Sequence, residues 1–178
     1  MVVITISGKA ESGKDFVAKI LKNKLEDLHN KVLIVHYADY LKYVASQYFG
    51  WNGVKDDAGR TILQKVGTDI VRKRNPELWV DVATMLIKVL APDYDFVLIP
   101  DTRFPNEIVK MQKEFGSLSL EIQRLGWINS LSDEQKAHPS ETALDGWDFD
   151  YTIKSMSGER FVSQEVDRFI SWYDLIRR

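Results

Sequence analysis

The chain has 178 residues, of which 44% are hydrophobic and 28% charged, with a formal net charge of −2 and no cysteine. This length suits one domain with a substantial core, so we expect a single domain over residues 1–178. Without a long basic run, a protein that coats nucleic acid is not expected, and disulfides and thiolate chemistry are excluded. No segment approaches the ~20 apolar residues of a transmembrane helix, and no signal-peptide pattern precedes the first strand. The sequence therefore predicts a cytoplasmic protein with neither a membrane nor a nucleic acid as its partner.

The first motif follows a short apolar strand at residues 2–7. It reads Gly8-x-x-x-x-Gly13-Lys14, and the apolar spacing after it predicts a helix over residues 14–28. Two glycines let successive backbone N–H groups turn toward phosphate oxygens, and the helix N-terminus favours anions. A strand, such a loop and a helix in this order are typical of a phosphate-binding loop, so we expect it to bind ATP. The residues expected to bind the nucleotide are Gly8, Lys9, Ala10, Glu11, Ser12, Gly13, Lys14 and Asp15.

Two acidic residues, Asp15 and Asp101, are predicted to hold the Mg²⁺ that accompanies the nucleotide. Asp15 stands where such loops usually carry a Ser or Thr whose hydroxyl binds Mg²⁺, and a carboxylate is also a hard oxygen ligand. Asp101 follows the apolar run 96–100, and ligands of parallel sheets lie beyond the carboxyl ends of the strands. Arg103 is then within reach of a phosphate oxygen. The local alternatives are that Asp101 caps the next helix and that Arg103 pairs with Glu107 on it.

The rest of the chain alternates apolar strands with helices. Strands are predicted at residues 31–38, 96–100, 118–123 and 151–153. Helices are predicted at residues 40–49, 60–74, 75–90, 105–115 and 159–176, with a loop at 50–59 and a capping box at Ser132 and Gln135. Strands that are apolar throughout, separated by helices, indicate a parallel sheet covered on both faces. We therefore expect an α/β fold of three layers with about five parallel strands, of the P-loop NTPase type.

Five segments in this order resemble the bacteriophage-type deoxynucleoside monophosphate kinases. They are residues 8–15, Leu63-Gln-Lys-Val-Gly-Thr68, Asp101-Thr-Arg-Phe-Pro-Asn-Glu107, His138-Pro-Ser-Glu141 and Asp148-Phe-Asp-Tyr-Thr-Ile153. The resemblance covers nearly the whole chain. It implies ATP- and Mg²⁺-dependent phosphorylation of a deoxynucleoside monophosphate to its diphosphate, in the host cytoplasm if the chain is phage-encoded.

Other functions stay open beside this one. Phosphomevalonate kinases look similar over the phosphate-binding loop and the Asp-x-Arg strand end, and a nucleotide sensor without catalysis is a second alternative. A GTPase is not expected, because the chain lacks an Asn-Lys-x-Asp motif. An ATP-hydrolysing motor is not expected either, because Thr102 rather than a glutamate follows Asp101.

The acceptor is expected to bind beside a helical region of about residues 40–90, with the core formed by residues 1–39 and 91–178. Gln64, Thr68 and Arg72 recur every four residues on one predicted helical face, although a solvated surface explains that spacing almost as well. By charge and by resemblance, Arg72 is the preferred ligand of the acceptor phosphate. The resemblance also suggests that residues 36–39 line the pocket. The residues expected to bind the acceptor are Asp39, Lys42, Gln64, Thr68, Arg72 and Trp79, with core packing favoured over base stacking for Trp79.

A polar insertion at about residues 125–147 is expected to form a lid that excludes water. Phosphoryl transfer depends mainly on positioning and charge neutralisation. The residues expected to be catalytic are Lys14, Arg103 and Arg124, with Lys136 as a further donor from the lid. Spacing alone assigns no role to His138 or Glu141. Small-molecule nucleotides are the expected partners, and a homodimer is left open.

Overall fold

The computed structural model describes residues 1–156 and 158–177, so that Ser157 and Arg178 of the predicted domain lie outside the described residues. Its centre is a sheet of five parallel strands in the order β2-β3-β1-β4-β5. The strands are β1 (Val2–Ser7), β2 (Val32–Ile34), β3 (Phe96–Thr102), β4 (Leu118–Arg124) and β5 (Tyr151–Ser155). The expected sheet of five parallel strands is confirmed.

Helices follow or separate all of these strands. They are α1 (Lys14–Asp27), α2 (Ala38–Tyr48), α3 (Asp57–Gln64), a π-helix (Lys65–Arg72), α4 (Leu78–Leu90), a 3₁₀ turn (Ala91–Asp93), α5 (Pro105–Phe115), α6 (Asp133–Ala137), α7 (Pro139–Thr142) and α8 (Glu159–Ile176). In the part of the chain that the structure describes, none of them has both the length and the apolar composition needed to cross a membrane.

The two faces of the sheet carry separate apolar cores. Successive residues of a strand point to opposite faces, so Ile4 of β1 packs with α1 and α8, whereas the neighbouring Val3 packs with α4 and α5. Phe169 of α8 and Met111 of α5 are among the buried side chains of the two cores. Because helices cover both faces, the central strands β1 and β3 are buried along nearly their whole length. The strands β4 and β5 differ from the expected apolar strands, since they alternate apolar with polar residues.

Several elements differ from the prediction in their bounds or type, and two of the shifted bounds have a local cause. The strand predicted at residues 31–38 ends at Ile34, because the chain turns into α2 where the Asp101 carboxylate accepts from the backbone N–H groups of Tyr37 and Ala38. The helix predicted at residues 60–74 begins earlier, since Asp56 caps α3 by accepting from the N–H of Gly59 at 2.7 Å. The same segment then continues as a π-helix from Lys65.

The capping box predicted before α6 is confirmed. Ser132 Oγ accepts from the backbone N–H of Gln135, and Gln135 Oε1 accepts from that of Ser132, both at 3.2 Å. This closes one turn of helix inside the polar insertion.

Candidate active site

The phosphate-binding loop lies at the carboxyl end of β1, in the middle of the sheet. Gly13 has φ 92° at the N-terminus of α1, and Gly8 has φ 145°. A Cβ at Gly8 would lie 2.6 Å from the carbonyl oxygen of Ile122, so only glycine fits there. Ser12 Oγ is buried and has no hydrogen-bond partner among the described residues. A tightly wound loop with an unpartnered buried hydroxyl fits a ligand rich in acceptor oxygens.

Lys14 places its amine inside this loop rather than in solvent. Nζ donates to the carbonyl oxygens of Gly8 at 2.8 Å and Lys9 at 2.9 Å, and 8% of the residue is exposed. Burial, with a smaller contribution from Arg103, lowers the pKa of Lys14 to about 7, while Glu141, Asp15 and Asp101 oppose the shift. A nearby anion favours the charged form of a buried amine, so a phosphate bound in the loop would stabilise protonated Lys14.

Asp15 and Asp101, the predicted metal ligands, line one cavity but have different environments. Asp15 Oδ1 lies 3.2 Å from His36 Nε2, and this hydrogen bond lowers the pKa of Asp15 and raises that of His36. Asp101 accepts from the backbone N–H groups of Tyr37 at 3.0 Å and Ala38 at 2.8 Å, and its burial raises its pKa. The Asp101 carboxylate therefore caps the start of α2, not the helix that follows it in the chain.

The metal would be held by few protein ligands. Over residues 1–156 and 158–177, no group of three or more acidic or histidine side chains could hold a metal ion by itself. Mg²⁺ is usually bound by one or two carboxylates, with water and substrate phosphates completing its octahedron. Asp15 and Asp101 fit that kind of site.

The cavity beside the loop has a volume of about 550 Å³. Its walls include five of the six residues expected to bind the acceptor, namely Lys42, Gln64, Thr68, Arg72 and Trp79. Asp39 is not on the wall; its Oδ1 accepts from Lys42 Nζ at 2.9 Å. The helical region and the phosphate-binding loop thus enclose one space between them.

The π-helix forms part of the cavity wall and is tied to α4 by Trp79. Trp79 is buried, and its Nε1–H donates to the carbonyl oxygen of Gly67 at 3.0 Å. A Cβ at Gly67 would lie 2.8 Å from Leu41 Cδ2, so glycine also allows α2 to pack closely here. Trp79 is a buried packing residue, as the sequence favoured, and it also borders the cavity.

Arg72 makes contacts that the sequence did not indicate. Its Nη2 donates to Glu107 Oε1 at 2.6 Å and its Nη1 to Asn106 Oδ1 at 3.1 Å. The guanidinium lies 3.8 Å from the ring centroid of Phe104. Arg72 therefore lines the cavity while anchoring the π-helix to the segment that follows β3.

The side chain of Arg103 is held by the insertion at residues 125–147 rather than by the helix after it. Its Nη1 donates to Glu141 Oε1 at 2.5 Å and to the carbonyl oxygen of Ser140 at 3.3 Å. The alternative pairing with Glu107 involves only the backbone: the N–H of Arg103 donates to Glu107 Oε2 at 2.7 Å. Its side chain lines the cavity while it is paired with Glu141.

The insertion at residues 125–147 folds back onto the phosphate-binding loop. Lys9 Nζ donates to the carbonyl oxygen of Glu141 at 2.6 Å and pairs with Asp145. Glu11 accepts from the backbone N–H of Ser130 at 3.0 Å and from Arg60 Nη2 at 2.9 Å. The side chains of Lys9 and Glu11 therefore tie the insertion and α3 to the phosphate-binding loop.

Arg124 and Lys136 line a second cavity of about 550 Å³ together with Gly8, Lys9 and Ser12. Arg124 Nη1 donates to the carbonyl oxygen of Glu11 at 3.2 Å, and its guanidinium lies 5.4 Å from the ring centroid of Trp127. Arg124 thus lies against the phosphate-binding loop, where a cation could meet a bound phosphate.

The residue that sequence reasoning missed is Glu141. Its Oε2 accepts from the backbone N–H of Ala10 at 2.8 Å, and 6% of its side chain is exposed. The only signal was its place in the His-Pro-Ser-Glu segment. His138, in the same segment, makes a contact within its own turn: its Nδ1 accepts from the N–H of Ser140 at 3.2 Å and so caps α7. Burial lowers the pKa of His138.

The strand order and the loop between β1 and α1 define the fold of the P-loop kinases. The chain is similar to shikimate kinase from Bacteroides thetaiotaomicron, with a TM-score of 0.55 and 11% identity over 97% of this chain and 98% of that one. It is similar to shikimate kinase from Aquifex aeolicus, with a TM-score of 0.53 and 13% identity over 97% and 96% of the two chains. An APS kinase from Mycobacterium tuberculosis gives a TM-score of 0.51 and 13% identity over 97% and 96%. No family model matches the chain. At these identities the likeness concerns the fold.

Proposed function

We propose that the protein transfers a phosphoryl group from ATP to a deoxynucleoside monophosphate in the presence of Mg²⁺, giving the diphosphate. The observation that carries this proposal is the shared space between the phosphate-binding loop and the helical region. One cavity of about 550 Å³ is bordered by Ala10 and Asp15 on the loop side and by Gln64 and Thr68 on the other. This volume lies in the range of small-molecule sites.

The donor would be held by the loop. Gly8 keeps the backbone free of a side chain, and Lys14 would exchange its two carbonyl partners for phosphate oxygens. Asp15 and Asp101 would hold the Mg²⁺, which neutralises phosphate charge when bound. Arg124, already against the loop, would add positive charge from the lid side.

The acceptor side needs positioning more than a base. The phosphate of a monophosphate is already an anion, so no strong general base is required for its attack. Lys42 and Arg103 supply cations on the cavity wall, and Gln64 and Thr68 offer hydrogen-bond donors and acceptors to a base or sugar. The lid, docked on the loop, would exclude water from the transferred group.

The resemblance to phage-type enzymes supports a deoxynucleotide as the acceptor. We propose that the reaction takes place in the cytoplasm, or in that of the host if the chain is phage-encoded. The predicted division into a core, a helical acceptor region and a lid fits this reaction, because the lid and the acceptor region meet the loop at Glu11.

The direct test is an acceptor panel assayed with ATP and Mg²⁺. The panel contains the four deoxynucleoside monophosphates, the matching ribonucleotides, mevalonate 5-phosphate, shikimate and adenosine phosphosulfate. We expect a deoxynucleoside monophosphate to be the best acceptor. Transfer to mevalonate 5-phosphate alone would support the phosphomevalonate alternative, and nucleotide binding without transfer to any acceptor would support a sensor.

A further inference from the structure

Arg103 lies at the boundary between the two cavities. The first cavity, which the helical region borders, and the second cavity, which Arg124 and Lys136 line, share three residues: Arg103, Ser140 and Glu141. The phosphate-binding loop borders both cavities and the helical region borders the first, so a phosphoryl group that passes from the loop to the helical region would travel close to these three residues. The charge neutralised during transfer would therefore develop beside Arg103.

Glu141 fixes the direction of the Arg103 side chain. The carboxylate binds Arg103 Nη1 through Oε1 at 2.5 Å, and the adjacent carbonyl of Ser140 accepts from the same nitrogen. Its other oxygen accepts from the N–H of Ala10 in the phosphate-binding loop. One nearly buried carboxylate thus joins the lid, the loop and the cation that follows β3.

The backbone of Arg103 is fixed independently. Glu107 Oε2 accepts from the N–H groups of Arg103 at 2.7 Å and Phe104 at 3.0 Å. The main chain of Arg103 is therefore held by a residue outside the insertion, while the direction of its side chain depends on Glu141. A long arginine side chain without such a partner would populate several rotamers, at a cost in positioning.

We infer that Glu141 is a positioning residue that delivers Arg103 to the phosphoryl group when the lid is docked on the loop. The inference rests on the proposed function, and it assigns a role to a lid acid that neither spacing nor the fold indicated. Glu141 acts through Arg103, so its removal affects the rate of transfer more than the binding of either substrate.

The opposite role would also use these contacts. A carboxylate on a loop N–H could compete with phosphate, in which case Glu141 would hold the empty site closed. The two roles predict opposite signs: loss of a positioning acid slows transfer, whereas loss of a competitor tightens ATP binding and speeds transfer.

The test is a double-mutant cycle with Glu141→Gln, Arg103→Ala and the double variant. Glutamine keeps an oxygen for the Ala10 N–H but loses the charge that holds the guanidinium. We expect Glu141→Gln to lower kcat about 10- to 100-fold with KM values for ATP and acceptor changed less than about threefold. In the Arg103→Ala background the same substitution should lower kcat less than about twofold, because its target is already gone. The matched control is Glu134→Gln, which makes the same change at an exposed residue of the same insertion and should keep full activity.

Thermal denaturation of each variant checks the fold, and Glu141→Asp replaces Glu141→Gln in the cycle if the latter unfolds. Multiplicative losses in the double variant, an unchanged kcat, or tighter ATP binding with faster transfer would each overturn the inference. The same proteins are compared in slow hydrolysis of ATP without an acceptor. If no monophosphate is phosphorylated but hydrolysis shows the expected cycle, the proposed acceptor is wrong and the role of Glu141 stands. If the wild type neither hydrolyses ATP nor transfers its phosphoryl group, both proposals fail.

Discussion

Nη2 of Arg72 lies 2.6 Å from Oε1 of Glu107, in an ion pair of which 12% and 3% of the two side chains are exposed. Burial raises the pKa of Glu107, and Arg72 opposes that rise. The residue that sequence reasoning chose as a substrate ligand is therefore also the partner of a buried acid. Any substitution of Arg72 must separate these two roles.

The structural role predicts a large loss of stability. Arg72→Ala leaves the Glu107 charge buried without its partner, which should lower the free energy of unfolding by about 3–5 kcal/mol. Replacing both partners, as in Arg72→Met with Glu107→Gln, should restore most of that loss because no uncompensated charge remains. Urea denaturation of the wild type, the single variant and the double variant measures the free energy of unfolding of each. If the double variant is no more stable than Arg72→Ala, the unpaired charge of Glu107 is not the cause of the loss.

The binding role is then tested by comparing the double variant, Arg72→Met with Glu107→Gln, against Glu107→Gln alone, because Glu107 also holds the backbone of Arg103. If Arg72 contacts the acceptor phosphate, losing one charge-assisted contact should raise the KM for the deoxynucleoside monophosphate about 10- to 100-fold. The KM for ATP should change little. Steady-state kinetics with each substrate varied in turn separates the effects, and a rise confined to the KM for ATP would place Arg72 on the donor side.

Features carried by contiguous residues were predictable from the sequence. The strand, glycine loop and helix at residues 2–28 follow from local spacing, and Asp101 follows from its place after an apolar run. Contacts between distant residues were not predictable: Arg72 and Glu107 are 35 positions apart, and Ala10 and Glu141 are 131 apart. No local period reports such pairs. The π-helix was not predicted either, because its apolar residues recur at a spacing that resembles that of the preceding α-helix.

The metal role of Asp15 predicts a change in Mg²⁺ dependence. Asp15→Asn removes a charged oxygen ligand and should raise the Mg²⁺ concentration needed for half-maximal rate. Asp15→Ser restores the hydroxyl found at this position in most phosphate-binding loops and should recover part of the loss. Rates measured across a Mg²⁺ titration at saturating ATP compare the three proteins. An unchanged titration in both variants would mean that Asp15 serves only its contact with His36 and the helix N-terminus.

Burial of Lys14 predicts a dependence of stability on pH. Its pKa is about 7 in the folded protein, below the ordinary value of 10.5. Between these values the unfolded chain binds a proton on Lys14 that the folded chain does not, so the stability contributed at this site rises with pH. Below about pH 7 both states are protonated, and the full cost of burying the charge is present.

Lys14→Met removes this titration. Relative to that variant, the wild type should therefore gain stability between about pH 7 and about pH 9, as measured by urea denaturation without nucleotide. Parallel pH profiles for the two proteins would show that the amine titrates normally.

In the proposed reaction, the loop that holds Lys14 binds the ATP from which a phosphoryl group passes to a monophosphate. The most direct test incubates ATP labelled at the γ-phosphate with a deoxynucleoside monophosphate and measures where the label goes. It compares the wild type, Lys14→Ala and the control Lys113→Ala, which changes an exposed lysine. The wild type and the control should place the label in the deoxynucleoside diphosphate, one for each ADP formed, and Lys14→Ala should do so orders of magnitude more slowly. Failure of the wild type to label any deoxynucleoside diphosphate, or labelling by Lys14→Ala at the rate of the control, would contradict the account.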